Sequence, residues 1–233
     1  MVSVFTTLRE AVLDGIALVL PVECAGCGDP DRAVCARCRP ALTPDPTSRR
    51  LADGTRVFSA LDYDGVAREV ILAFKEHGRT ELARVLAPSL AASVFEAGVG
   101  LEGGRAVELV TVPGSRRSRR RRGFDPVAML VSRAGLQRVT VFAPARPHPA
   151  QKTLSVEQRA ANLEGVFALR VPVAARRFLL VDDVVTTGAT VVAAAAALRA
   201  GGAEVVAAAV VASTPKFLGG FISPHGERSA SVP

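Results

Sequence analysis

The sequence predicts an α/β fold, a parallel sheet flanked by helices, preceded by a small N-terminal module built on cysteines. Three observations carry this. From Val57 onward, short apolar runs alternate with helical stretches, the grammar of a sheet covered on both faces. The run Phe178-Leu179-Leu180-Val181 leads into two acids, a Thr-Thr-Gly turn and a small-residue helix. All four cysteines of the chain fall between residues 24 and 38.

Taken in order, Val4, Leu8, Val12, Ile16 and Leu20 recur at steps of four and predict an N-terminal helix with one apolar stripe. The cysteines follow, and the proline-containing stretch 40–55 reads as a linker. The expected organisation is therefore helix, cysteine module and linker over 1–50, and the α/β domain over 51–218. The Gly/Ser/Pro-containing residues 219–233 are expected to be a disordered tail. Within the domain, strands are predicted over 57–63, 107–112, 139–143, 178–181 and 205–212. Helices are predicted over 66–74, 82–97, 126–134, 155–163 and 189–200, the last stopped by Gly201-Gly202.

Composition narrows the function classes. The chain has 233 residues, 49% of them apolar, but its apolar runs fall well short of the roughly 20 residues a membrane span needs. No membrane insertion is expected. Arg9, Glu10 and Asp14 interrupt the N-terminus, which does not read as a secretory signal, so the expected location is the cytoplasm. The net charge of +7 is concentrated: six arginines occupy Arg116 to Arg122, interrupted only by Ser118. Such a segment suits phosphates, on a small ligand or a nucleic acid; a solvated surface loop is the plainer reading for its outer arginines.

Cys24-x2-Cys27 and Cys35-x2-Cys38 form two knuckles separated by seven residues. Four thiolates at this spacing complete a closed tetrahedral shell for a structural Zn2+, with Gly26 and Gly28 helping the first turn to bend. Disulfides and a redox dithiol are the alternatives; a cytosolic setting disfavours the first, and one pair would suffice for the second.

The segment Asp182-Asp183-Val184-Val185-Thr186-Thr187-Gly188-Ala189-Thr190 is the most specific in the chain. Two carboxylates are expected where a buried strand ends, the edge at which open α/β sheets bind ligands. The Thr-Thr-Gly turn and the helix N-terminus offer amides and hydroxyls to a phosphate. Carboxylates repel phosphate and suit hydroxyls or Mg2+ nearby, so a ribose 5-phosphate fits the set. An ordinary strand, turn and helix with an Asp cap is the plainer alternative.

These thirteen residues, Phe178 to Thr190, resemble the phosphoribosyl pyrophosphate (PRPP) motif of type I phosphoribosyltransferases. The resemblance implies that Asp182 and Asp183 hold the ribose hydroxyls. It implies that Val185, Thr186, Thr187, Gly188, Ala189 and Thr190 hold the 5-phosphate, with Mg2+ accompanying PRPP. It further implies a type I phosphoribosyltransferase-like parallel sheet, in which the loop after the 107–112 strand approaches the pyrophosphate through Gly114, Ser115 and Arg116. Over nearly the whole chain the sequence is similar to the ComF family, associated with natural competence and DNA uptake. The similarity rests on the cysteine knuckles, Tyr63-Asp64-Gly65, Phe74-Lys75-x2-Gly78, Val112-Pro113, Arg122-Gly123-Phe124-Asp125, Gln151, Arg159-x2-Asn162, Phe167 and the acidic-pair loop. The chain departs from that family at Asp125-Pro126, where Asn-Gln is frequent, and in a reduced arginine content over 146–151.

Lys75 is one of only three lysines among 29 basic residues and has two readings: it reaches the pyrophosphate, or it stabilises a helix C-terminus. Arg159 and Asn162 share a helix face, as a structural network or as ligand contacts. Whether the chain catalyses transfer is left open, since no segment announces an acceptor. Three functions follow: a PRPP-binding protein of the competence machinery with single-stranded DNA and a helicase-like ATPase as partners, a salvage phosphoribosyltransferase, or a nucleic-acid-binding module on the same fold. Intact Asp182, Asp183 and Gly188 count against the third.

Overall fold

A computed structural model describes residues 22–30, 32–98, 106–114, 121–143 and 167–214. Five strands, β1 (Thr47–Arg50), β2 (Arg56–Asp62), β3 (Val107–Thr111), β4 (Arg177–Val185) and β5 (Glu204–Ser213), form one sheet in the order β1-β2-β5-β4-β3. β2, β5, β4 and β3 are mutually parallel, and β1 joins β2 antiparallel. The helices are α1 (Gly65–Glu76), α2 (Ala83–Gly98), α3 (Pro126–Arg133) and α4 (Ala189–Ala200).

The run Phe178 to Val181 is apolar throughout because both faces of β4 are covered. Phe178 and Leu180 point into a cluster with Val191, Ala194, Ala195 and Leu198 of α4. Leu179 packs with Ala97 at the end of α2, and Val181 with the cluster formed by α1, α2 and α3. Burying each such side chain contributes about 1.5–3 kcal/mol. On α1 the apolar positions Ala67, Val70, Ile71 and Phe74 follow helical spacing and are all buried. Asp125 caps α3 by accepting the Ala128 amide at 3.1 Å, and Pro126 follows at the first turn. The departure from the ComF pattern at these two positions is thus a helix start built from a cap and an N1 proline.

Three predicted elements differ. The stretch read as a linker contains a short 3-10 turn, Arg39–Leu42, and the strand β1, paired with β2 from Thr47↔Ser59 to Arg50↔Arg56. Its polar sequence, Thr-Ser-Arg-Arg, belongs to an edge strand exposed over most of its length, which carries none of the apolar signal of a buried one. β4 runs four residues past Val181, because the acids keep the extended conformation and the ladder to β5. Residues 139–143 make only isolated bridges, Val110↔Val139 and Phe142↔Leu169. The predicted helices over 4–20 and 155–163, Gln151, Arg159, Asn162 and the tail lie outside the described residues.

The cysteine module shares its core with the domain. Cys24, Val34, Cys35, Cys38 and Leu42 are buried in one cluster with Leu61, Val70, Ile71, Phe74, Leu82 and Leu86. Gly26 sits where a Cβ would lie 2.8 Å from Val66 Cγ1 and 3.0 Å from Cys38 Sγ, so only glycine lets the first knuckle approach α1. The Arg79 guanidinium donates to the Glu23 carbonyl at 2.8 Å across the same contact.

Gly188, the N-cap of α4, has φ of +85°, and a Cβ there would meet Leu51 Cδ2 at 2.5 Å. The turn after β1 therefore lies directly against the Thr-Thr-Gly loop. Gly188→Ala combines left-handed strain with overpacking, and a loss of about 2–4 kcal/mol is expected in denaturant unfolding. A loss below about 1 kcal/mol would show that Leu51 yields freely.

Candidate functional site

Because β2 to β5 are parallel, their C-terminal ends share one edge. Asp62 of β2 is in register with Ser213, Ser213 with Val185, and Thr111 of β3 with Val181. Asp182 and Asp183 lie inside the last turn of this ladder rather than after it, with Asp182 opposite Val210. The strand sets their backbones, and the side chains fold back: Asp182 accepts the Asp183 amide and Asp183 the Val184 amide, both at 2.8 Å.

Asp183 is buried, and its partner comes from α1: Lys75 Nζ lies 2.7 Å from Asp183 Oδ1. Of the two sequence readings of Lys75, neither describes this contact; the helix end delivers the ammonium to the acidic pair. Burial pulls the Lys75 ammonium down, but Asp183 and then Asp182 outweigh it, and the group stays charged above its ordinary range. Asp182 behaves in the opposite way. Burial first, then the adjacent Asp183 charge, push its carboxyl up to about 8, against the weaker pull of the Asp183 amide and Lys75. Two neighbouring carboxylates sharing one lysine do not both ionise readily. A carboxyl raised in this way can donate a hydrogen bond where an ordinary aspartate only accepts one.

Beyond the pair, Val185 and Gly188 are buried, while Thr186, Thr187 and Thr190 are exposed. Thr187 Oγ1 accepts the Ala189 amide at 3.3 Å, and Thr214 closes the other side by donating to the Val185 carbonyl at 3.0 Å. Arg49 of β1 donates from Nη2 to the Thr186 carbonyl at 2.8 Å, while its Nε and Nη1 are buried without partners among the described residues. The turn of that hairpin is fastened to the far end of α4, where Arg199 reaches Asp53 at 2.6 Å and Thr55 at 2.9 Å.

The cationic segment is divided. Arg121 and Arg122 both bind the carboxylate of Glu76, the residue after Lys75. The Phe124 ring packs on Phe74, centroids 5.6 Å apart. Phe74-Lys75-Glu76 therefore holds the Arg122-Gly123-Phe124 stretch with two of its side chains and the acidic pair with the third. Gly114 is exposed just past β3, on the same sheet edge; Ser115, Arg116 and the other arginines up to Arg120 lie outside the described residues. Glu76 and Arg49 were not legible as site residues, and Arg122 was read only as part of the cationic segment and of the ComF resemblance. Glu76 had only its adjacency to Lys75 as a signal, and Arg49 lay in a stretch with no apolar pattern.

The four cysteines come together separately from the acidic pair, their Sγ atoms all within 4.8 Å of one another. Cys27 and Cys35 Sγ are 3.7 Å apart, close to the edge of about 3.8 Å that a tetrahedron of Zn–S bonds near 2.3 Å requires. Cys24 Sγ accepts amides from Gly26 at 3.4 Å and Cys35 at 3.3 Å. Burial raises this thiol, but those amides outweigh it and bring it down to about 6, so Cys24 is poised as a thiolate. The set fits a tetrahedral metal in its number, spacing and donor chemistry.

Residues 130–217 match the phosphoribosyl transferase domain. This stretch contains β4, the acidic pair, the Thr-Thr-Gly loop, α4 and β5. Solved structures similar to the chain include orotate phosphoribosyltransferase from Aeropyrum pernix, 22% identical over 76% of this chain and 78% of that one, with a TM-score of 0.32. Adenine phosphoribosyltransferase from Saccharomyces cerevisiae is 15% identical over 77% and 89%, with a TM-score of 0.37. Hypoxanthine phosphoribosyltransferase from Staphylococcus aureus is 12% identical over 60% and 68%, with a TM-score of 0.36. No curated protein matches the chain. Among the described residues, no helix is long and apolar enough to cross a membrane.

The raised Asp182 carboxyl has a consequence for stability. Its folded value of about 8 exceeds the ordinary 3.8, so the folded chain holds a proton the unfolded chain releases. Its contribution is complete below about pH 4 and is lost as pH rises toward 8. Unfolding free energies measured across pH 4–8 are expected to fall for wild type relative to Asp182→Asn. Parallel curves would mean that Asp182 titrates as an ordinary carboxylate.

Proposed function

We propose that the protein binds PRPP at the C-terminal edge of its sheet and is a phosphoribosyltransferase-like protein. One observation carries the reading: the acidic pair and the Thr-Thr-Gly loop lie within the matched domain, at the end of a strand buried on both faces. In this reading Asp182 and Asp183 hold the ribose hydroxyls. The Val185 to Thr190 loop holds the 5-phosphate, while Gly114, Ser115, Arg116 and Lys75 face the pyrophosphate. Mg2+ would bind largely through ligand oxygens and waters and neutralise the pyrophosphate. If transfer occurs, the protein supplies position and charge rather than a covalent nucleophile.

The cysteine cluster holds a structural Zn2+ in this reading, its role being to complete a module whose apolar residues are too few for a core of their own. The pairing of that module with the domain supports the ComF resemblance. A competence role, with single-stranded DNA on the arginine segment and a helicase-like ATPase as partner, is the finer form of the proposal. A salvage phosphoribosyltransferase is its rival, and the cysteine module speaks against it.

Titration with PRPP and Mg2+ is expected to saturate at one site, with affinity lowered at least about tenfold in the Asp182→Asn/Asp183→Asn double variant. Failure of wild type to bind would remove both the competence and the salvage readings. Single-stranded DNA should bind with a salt dependence that weakens when the arginine segment is changed to serine. DNA affinity indifferent to both would withdraw the DNA partner.

Metal analysis of the purified protein should give one zinc per chain, lost in Cys35→Ser. Because the cysteines share the domain's core, the variant should lose about 3 kcal/mol or more and melt about 6–12 °C lower. An unchanged melting temperature in zinc-free protein would contradict the structural role.

A further inference from the structure

The contacts of Glu76 have a feature that the ribose-phosphate reading does not use. One carboxylate serves two guanidiniums, Arg121 and Arg122, and sits beside an ammonium already committed to Asp183. The Arg122 side chain is only 12% exposed, whereas that of Arg121 is 67% exposed. Arg122 Nε is buried and has no hydrogen-bond partner among the described residues. A guanidinium is an extended planar donor suited to an anion with several oxygens, and one shared carboxylate leaves part of it unused.

Like charges also crowd there. Arg121 and Arg122, adjacent in the chain, converge on the one Glu76 carboxylate, the residue after Lys75. Cations gathered in a partly buried place cost free energy unless an anion lies between them. In this structure Glu76 supplies that anion. The carboxylate itself is held below its ordinary range, since Arg122 and Arg121 outweigh the burial that raises it. The contact of the Phe74 and Phe124 rings, tilted at 56° with centroids 5.6 Å apart, fixes the distance between the helix end and the arginines.

We propose that Glu76 is an internal competitor for a condensed phosphate at Arg122, occupying the arginine until a pyrophosphate group displaces it. The choice of ligand rests on the PRPP reading above; the displacement mechanism rests on the Glu76 contacts. A pyrophosphate carries more negative oxygens than a carboxylate and satisfies the guanidinium more fully, so it wins the exchange once bound at the sheet edge. Released Glu76 then lies on the exposed end of α1, where water solvates it. The exchange makes affinity for condensed phosphate lower than the arginine alone would give.

The test is calorimetric titration of the full-length protein with inorganic pyrophosphate and, separately, with PRPP and Mg2+ and with single-stranded oligonucleotide. Wild type is compared with Glu76→Gln, Arg122→Ser, Arg122→Lys and the Glu76→Gln/Arg122→Ser double variant, each checked for folding by thermal unfolding. Glu76→Gln should tighten pyrophosphate binding about 3–10-fold; Arg122→Ser should weaken it about tenfold or more, with partial recovery in Arg122→Lys. The Glu76→Gln gain should vanish in the Arg122→Ser background. Pyrophosphate affinity unchanged or weakened in folded Glu76→Gln, or a gain that survives Arg122→Ser, would overturn the proposal. So would a gain confined to the oligonucleotide. If PRPP binds with dependence on Asp182 while pyrophosphate ignores Glu76 and Arg122, this inference fails and the PRPP reading stands. If PRPP does not bind but pyrophosphate follows the predicted pattern, the reverse holds.

Discussion

A carboxylate on a strand covered on both faces must find a counter-charge inside the protein, and here it finds one in Lys75. The 2.7 Å contact between Lys75 and Asp183 sets where α1 ends relative to β4. Because Lys75 lies between Phe74 and Glu76, the same helix end also fixes Phe124, Arg121 and Arg122. The electrostatics of Asp182 follow from the same contact. One ammonium serves two carboxylates, and the second keeps its proton at a pH where an isolated aspartate would have lost it.

The Thr-Thr-Gly loop depends on packing more than on charge. Thr186 to Gly188 is shaped by neighbours from three directions: the β4 ladder, the first turn of α4, and the β1 hairpin through Arg49 and Leu51. The hairpin is itself anchored at its tip by Arg199 on the last turn of α4. A loop with exposed threonines and a buried glycine is thereby held in one shape without being free to collapse. The alanines at the centre of α4 serve the same purpose, since small side chains bring the helix axis close to the sheet.

Much of this was legible in the sequence, for identifiable reasons. Helical spacing in α1 and the apolar run in β4 report burial directly, because a buried position tolerates few residue types. The cysteine spacing reports geometry, because two short turns can bring four sulfurs to one point. Sequence could not show β1, whose four residues are polar because they line an edge, nor the route by which Arg49 reaches Thr186 from 137 residues away. The end of β4 was misplaced for a related reason. Acids usually signal the end of a strand, but here they remain in the ladder because Lys75 and backbone amides satisfy them. Glu76 was hidden because its role depends on a segment that lies 45 residues further along the chain.

The composition of β1 also bears on how the molecule meets other copies of itself. A sheet whose inner strands are rich in valine and alanine would be a template for further pairing if its edge were apolar and flat. Instead the edge strand is four residues long and ends in two arginines, one of them turned inward to the loop and the other exposed and bonded to the Gly54 carbonyl. A second chain adding there would have to displace charged side chains and would gain few backbone hydrogen bonds. Among the described residues, the strand that helps shape the Thr-Thr-Gly loop therefore also terminates the sheet, guarding an apolar protein against strand-to-strand aggregation on that side.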